Sequence, residues 1–189
     1  MMPGALRQLL GAALIGLVAA RSATVTLAQA PAATEYEIKA AFLYNFAKFV
    51  EWPPEALAAP SAPIVIGVLG TDPFGHTLDQ IVADKQIGGH PLVIKRLKDA
   101  SEADGCQIVF VGASDRTALK RLVQSKTRHA ILTVGEMEGF AQEGGIIQFV
   151  IQDNKVRFQI NAAAADKAGL KISAQLLKLA LSPPASSEN

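Results

Sequence analysis

Two periodicities divide this chain. Over residues 36–53 (YEIKAAFLYNFAKFVEWP) apolar positions recur every three to four residues. At roughly 100° per residue, Ile38, Phe42, Leu43, Phe46, Phe49 and Val50 share one broad sector. Glu37, Tyr44, Lys48 and Glu51 fall opposite. The spacing predicts a core helix running to about Glu51 and stopped by Trp52 with the Pro53-Pro54 pair. Two polar residues break the stripe. Lys39 points into the apolar sector and Asn45 sits at its edge, so each requires a partner or a route to water. Trp52, the only tryptophan, stands where the chain leaves the helix, either as a lid on the core or as contact surface.

Further along, apolar residues come in short continuous runs, the pattern of strands covered on both faces. Residues 64–69, 91–96, 107–111 and 130–134 predict four such strands. Residues 53–63 carry four prolines and read as a constrained loop. Residues 76–83, with Leu78, Ile81 and Val82 inward, predict a helix. A second helix is opened by Ser114 and Asp115 and turns Leu119, Leu122 and Val123 inward. Residues 135–144 are a loop or short helix carrying Met137 and Phe140.

Residues 146–152 and 155–161 then alternate around Asp153-Asn154, both tolerant of positive φ, and predict a two-residue hairpin. Its register sets Ile151 against Val156, Phe149 against Phe158 and Ile147 against Ile160. On the other, mostly polar face it sets Gln152 against Lys155, Val150 against Arg157 and Gln148 against Gln159. Residues 162–168 predict a helix closed by Gly169. Ser173 caps a last one, whose apolar face is Leu176, Leu177, Leu179 and Ala180. The fold class that follows is a single α/β domain. A mostly parallel sheet is flanked by helices, with a C-terminal antiparallel hairpin and terminal helices.

Composition refines this. With 50% hydrophobic and 19% charged residues in 189, the chain supports one well-cored domain. Residues 1–30 have Arg7 ahead of the apolar run LLGAALIGLVAA and end in Ala28-Gln29-Ala30. That is the layout of a cleaved signal peptide, and the run is too short to span a membrane. The expected organisation is a signal peptide at 1–30, a domain at 31–182 and a flexible tail at 183–189. Without residues 1–30 the chain has 16 basic and 17 acidic residues, a net charge of −1, which gives no electrostatic reason to bind nucleic acid. Lys95, Arg96 and Lys98, and separately Lys120, Arg121, Lys126 and Arg128, read as solvated faces. Cys106 is the single cysteine, so no internal disulfide forms. It opens an apolar run and reads as a buried thiol, a free reactive one being the alternative.

Catalytic chemistry is hard to find. His76, His90 and His129, with Asp72 or Asp79, lack metal-ligand spacing. Ser114 stands in no G-x-S-x-G elbow. The glycines of Gly67 to Gly75 are wrongly spaced for a phosphate loop, and Pro73 removes a backbone donor. Glu136 and Glu138 read as carboxylates in an exposed loop without an apolar pocket. No enzyme activity, cofactor or metal is expected.

The runs AAFLYNFAKFVEWP, IGVLGTDPFG, GCQIVFVGAS, ILTVGEMEGFAQEGGIIQFV and DNKVRFQINAAAADKAGLKISAQLLKLA, in that order over about residues 36–181, resemble the YfiR-like family of bacterial periplasmic regulatory proteins. The resemblance implies a non-enzymatic periplasmic protein that represses an inner-membrane diguanylate cyclase by binding its periplasmic sensor region. Cyclic-di-GMP and biofilm formation would be restrained in consequence. A sensor kinase is the other partner class, and a homodimer is implied, with no membrane insertion after cleavage. Family members carry a disulfide between the equivalent of Cys106 and a cysteine on the first strand. That position is Gly67 here, so the bond cannot form. The exposed side of the first helix (Tyr44, Lys48, Trp52) is the expected partner surface. The alternative function is a small-ligand sensor or carrier, with a pocket near Thr71, Asp72 and Phe74 at the carboxyl ends of the strands.

Overall fold

The computed structural model describes residues 33–181 except 58, 114 and 126–129. The signal-peptide and tail expectations, and those for Ser114, Lys126, Arg128 and His129, lie outside the described residues. In chain order come α1 (Glu35–Phe49), β1 (Val50–Glu51), a 3-10 turn at Pro54–Leu57, β2 (Ile64–Leu69), α2 (His76–Val82), β3 (Gln86–Ile87) and β4 (His90–Leu97). A 3-10 turn at Ala100–Ala103 leads to β5 (Ile108–Val111), α3 (Arg116–Gln124) and β6 (Leu132–Gly135). The chain closes with β7 (Ile147–Gln152), β8 (Lys155–Ile160), α4 (Ala162–Lys167), β9 (Lys171–Ile172) and α5 (Ala174–Leu179).

Seven strands form one sheet in the order β3-β4-β2-β5-β6-β7-β8, parallel throughout except for the β3–β4 and β7–β8 pairs. The alternating sides of each strand explain the continuous apolar runs. Ile66, Val68, Ile108 and Phe110 face a core shared with α1, α2 and α5. Leu69, Val109 and Val111 face a second core with Leu119, Leu122, Met137 and Phe140. The hairpin has the predicted register, with Asp153 at φ 50° and Asn154 at φ 55°. Asp115, Asn161 and Ser173 each accept a hydrogen bond from a backbone N–H in the first turn of the helix they precede. Gly169, at φ 73°, closes α4.

Four expectations are corrected. The first helix ends at Phe49 rather than Glu51, because Val50 and Glu51 pair with Ile172 and Lys171 as a two-stranded ribbon. Its buried stripe is Lys39, Ala40, Leu43, Phe46 and Ala47, while Ile38, Phe42 and Phe49 are half-buried. Val123 (44% exposed), Leu177 (43%) and Leu179 (57%) stand outside the core, since the buried stripe is only Ala118, Leu119 and Leu122 on α3 and Leu176 on α5. On the polar face of the hairpin Gln148 is buried: its Oε1 accepts from the Ala141 N–H at 3.1 Å, tying β7 to the strap formed by residues 136–145. The strap also packs Phe140 against Gly135 and Gly145, where any Cβ would overlap the ring.

Gln107 holds the proline loop. Its side-chain oxygen accepts from the Val65 N–H and its amide donates to the Ala56 carbonyl, both at 2.8 Å, while the indole N–H of Trp52 donates to its backbone carbonyl at 3.2 Å. Exchanging Gln107 for leucine leaves the Val65 N–H and Ala56 carbonyl without partners. The expected loss is about 2–4 kcal/mol, read from urea unfolding midpoints. A loss below about 1 kcal/mol would show that water satisfies both groups.

Candidate functional site

The residue that broke the pattern of the first helix marks the most unusual polar cluster. Thr34 caps α1 and exchanges hydrogen bonds with Glu37, which fixes the first turn. Glu35 lies in that turn, and Lys39 follows one turn later on the side that meets the sheet, only 3% exposed. There the carboxyl end of β6 runs into Glu136. The Lys39 ammonium donates to Glu35 Oε1 and to Glu136 Oε2. It lies 4.7 Å from the centre of the Tyr36 ring and 5.9 Å from that of Phe149, and the Tyr36 hydroxyl donates to Glu136 Oε1 at 3.3 Å. Burial opposes the charge on Lys39, but the bonds to Glu136 and Glu35 outweigh it and hold its pKa above the ordinary lysine value. Burial, with the Glu136 charge, pushes the Tyr36 hydroxyl up as well.

Glu136 therefore does not sit in an exposed loop as expected. Its side chain is 12% exposed and is the counter-ion of the buried Lys39, while Glu138 is exposed. A cleft of about 460 Å³ opens beside this cluster, between the start of α1, the start of the strap and residues 148–151 of β7. A second cleft, about 420 Å³, lies between α3 and α4.

The loop after β2, where a doubly wound fold would take a ligand, is filled by its own side chains. Asp72 Oδ1 accepts from the N–H groups of Phe74 and Gly75 at 2.8 and 3.2 Å, using donors an anion would need. Arg96 donates to Asp72 Oδ2 at 2.9 Å, to both oxygens of Asp79 at 2.8 and 2.5 Å, and to the Gly75 carbonyl at 2.8 Å. The Arg96 bond holds the Asp79 carboxyl below the usual carboxylate range, even against its partial burial. Phe74 is buried edge-on to Tyr36 (5.8 Å) and Phe110 (4.8 Å). Asp72 and Asp79 thus converge on a guanidinium, and Nδ1 of His90 sits 2.7 Å from the Ala62 carbonyl. Among the described residues no three His, Cys, Asp or Glu side chains gather into a metal site.

Tyr44, Lys48 and Trp52 do not form one free face. Lys48 is exposed, its ammonium 5.7 Å from the Tyr44 ring centre and 5.9 Å from that of Phe49. Tyr44 is half-buried, and Trp52 is half-buried and tied to Gln107. Cys106 is buried, and burial pushes its thiol up despite the nearby Lys95 charge. A Cβ placed on Gly67 would lie 3.2 Å from Cys106 Sγ and 2.8 Å from Leu97 Cδ1. Gly67→Cys should therefore bond to Cys106 once Leu97 shifts. The expected gain is about 2 kcal/mol, with loss of both titratable thiols and reversal by dithiothreitol. Two thiols persisting under air would disprove the pairing.

Residues 36–181 match the family model described as YfiR/HmsC-like. The chain belongs to that family. Its members are periplasmic, non-enzymatic regulators of signalling, and the family implies a membrane signalling partner. No helix among the described residues is long and apolar enough to cross a membrane. The Lys39–Glu136 pair was half legible. The lysine stood out on its helix, but nothing local to Glu136, 97 positions away, names it as the partner.

Proposed function

We propose that this protein is a periplasmic regulatory binding protein that represses an inner-membrane diguanylate cyclase, by binding its periplasmic sensor region as a homodimer after removal of residues 1–30. The observation that carries the reading is the family match over residues 36–181, nearly the whole described domain. The signal-peptide layout of residues 1–30 supports the location. A cleft open to solvent and lined by unlike chemistries supports recognition of a partner. Among the described residues Lys39 pairs with Glu35 and Glu136, and Arg96 pairs with Asp72 and Asp79.

The test is a pull-down with tagged residues 31–189 from periplasm and detergent-solubilised inner membrane. Recovery of a membrane protein with a cytoplasmic cyclase domain is the expected result. Repeated recovery of no membrane signalling protein would sink the reading.

A further inference from the structure

The apolar row of β7 that lies under α1 continues beyond the helix. Ile147 and Phe149 are 0% and 2% exposed, while Ile151, next on the same face, is 53% exposed. The helix begins at Glu35, and the cleft lies between its first turn and this end of β7. The cleft therefore offers an uncovered aliphatic floor at Ile151 beside a carboxylate wall. Among the described residues that line it, Glu35, Glu136 and Glu138 are opposed by Lys39 alone, an excess of negative charge. Lys39 and Tyr36 take up both oxygens of Glu136, but the Glu138 carboxylate is exposed and makes no hydrogen bond or ion pair with the described residues, Arg116 donating to its backbone carbonyl instead.

We propose that this groove receives a basic, aliphatic segment of the partner protein, with an arginine or lysine against Glu138 and Glu35 and a neighbouring leucine, isoleucine or valine on Ile151. The identity of that partner rests on the regulatory reading above; the chemistry of the groove does not. Charge complementarity selects a cation over an anion. A free amine would leave Ile151 uncovered, so a side-chain pair on one extended segment fits both halves.

Residues 31–189 are titrated with two ten-residue peptides in a glycine–serine frame, one carrying arginine and leucine, the other glutamate and leucine, and followed by backbone amide NMR. The arginine peptide should shift the amides of Glu138, Phe149 and Ile151, and the glutamate peptide should not. Glu138→Lys and Ile151→Asp, both at exposed positions, should each weaken the apparent affinity at least tenfold, and salt should weaken it further. Val93→Asp, an exposed site on β4, should leave it unchanged. Equal response to both peptides, shifts mapping elsewhere, or unaltered binding by the two variants would overturn the proposal. So would sedimentation showing that Ile151→Asp converts a dimer to monomer, which would make the groove a contact between copies of this chain. A pull-down that finds no partner removes the regulatory reading while the titration still judges the groove.

Discussion

Lys39→Ala is expected to destabilise the domain by about 3–5 kcal/mol, because it strands the Glu136 carboxylate in a site that is 12% exposed, with only the Tyr36 hydroxyl among the described residues still donating to it. For a domain of this size that is roughly 6–20 °C in Tm. The exposed Glu35 contributes little, since it can return to water. Removing both charges together separates lost attraction from a stranded ion. Lys39→Met with Glu136→Gln should be more stable than Lys39→Met alone. The sign of the pH dependence follows from the raised pKa of Lys39. Its stabilisation is fully present below the ordinary lysine value of about 10.4 and is lost as pH rises through the higher folded value. The gap between wild type and Lys39→Ala should therefore be flat from neutral pH to the ordinary lysine value and close above it. Urea midpoints across that range measure it, and a gap that narrowed between neutrality and the ordinary lysine value would contradict the raised pKa.

Phe46→Ala should cost a similar amount, about 3–5 kcal/mol, for a different reason. Phe46 is fully buried where α1 meets the hairpin, with ring centres 5.8 Å from Phe149, 5.2 Å from Phe158 and 5.9 Å from Phe42. Its loss opens a cavity between two elements far apart in sequence, and neither the helix nor the paired strands can collapse into it. Phe46→Leu should retain most of the stability. Phe42→Ala, at a half-buried position one turn earlier, should cost less than Phe46→Ala. Calorimetric Tm values order the three variants. Equal effects at 42 and 46 would mean that the cluster does not distinguish centre from rim.

Local pattern carried the fold further than it carried the site. The hairpin register was legible because a period of two and the Asp153-Asn154 turn admit one alignment, which the pairing of Phe149 with Phe158 bears out. The parallel strands were legible as apolar runs because both faces of the sheet are covered. The ribbon of β1 and β9 was not, since two residues per strand fall below any periodicity. Leu177 and Leu179 misled because apolar character was read as burial on a six-residue helix that has only Leu176 fully covered. Gln148 misled in the opposite sense: its polarity serves the Ala141 N–H inside the fold rather than water. At the site, Lys39 was conspicuous as a charge on an apolar face. Its partner was not, because the juxtaposition of Glu136 depends on how α1 packs against β7 and β8, which no local window encodes.

The regulatory reading is tested most directly by intracellular cyclic-di-GMP, measured by mass spectrometry in the native host, in a strain lacking this gene, and in that strain complemented with the chain. Release of a repressed cyclase predicts a several-fold rise on deletion and a return to the starting level on complementation. An unchanged level, or a fall, would contradict repression of a diguanylate cyclase by this protein.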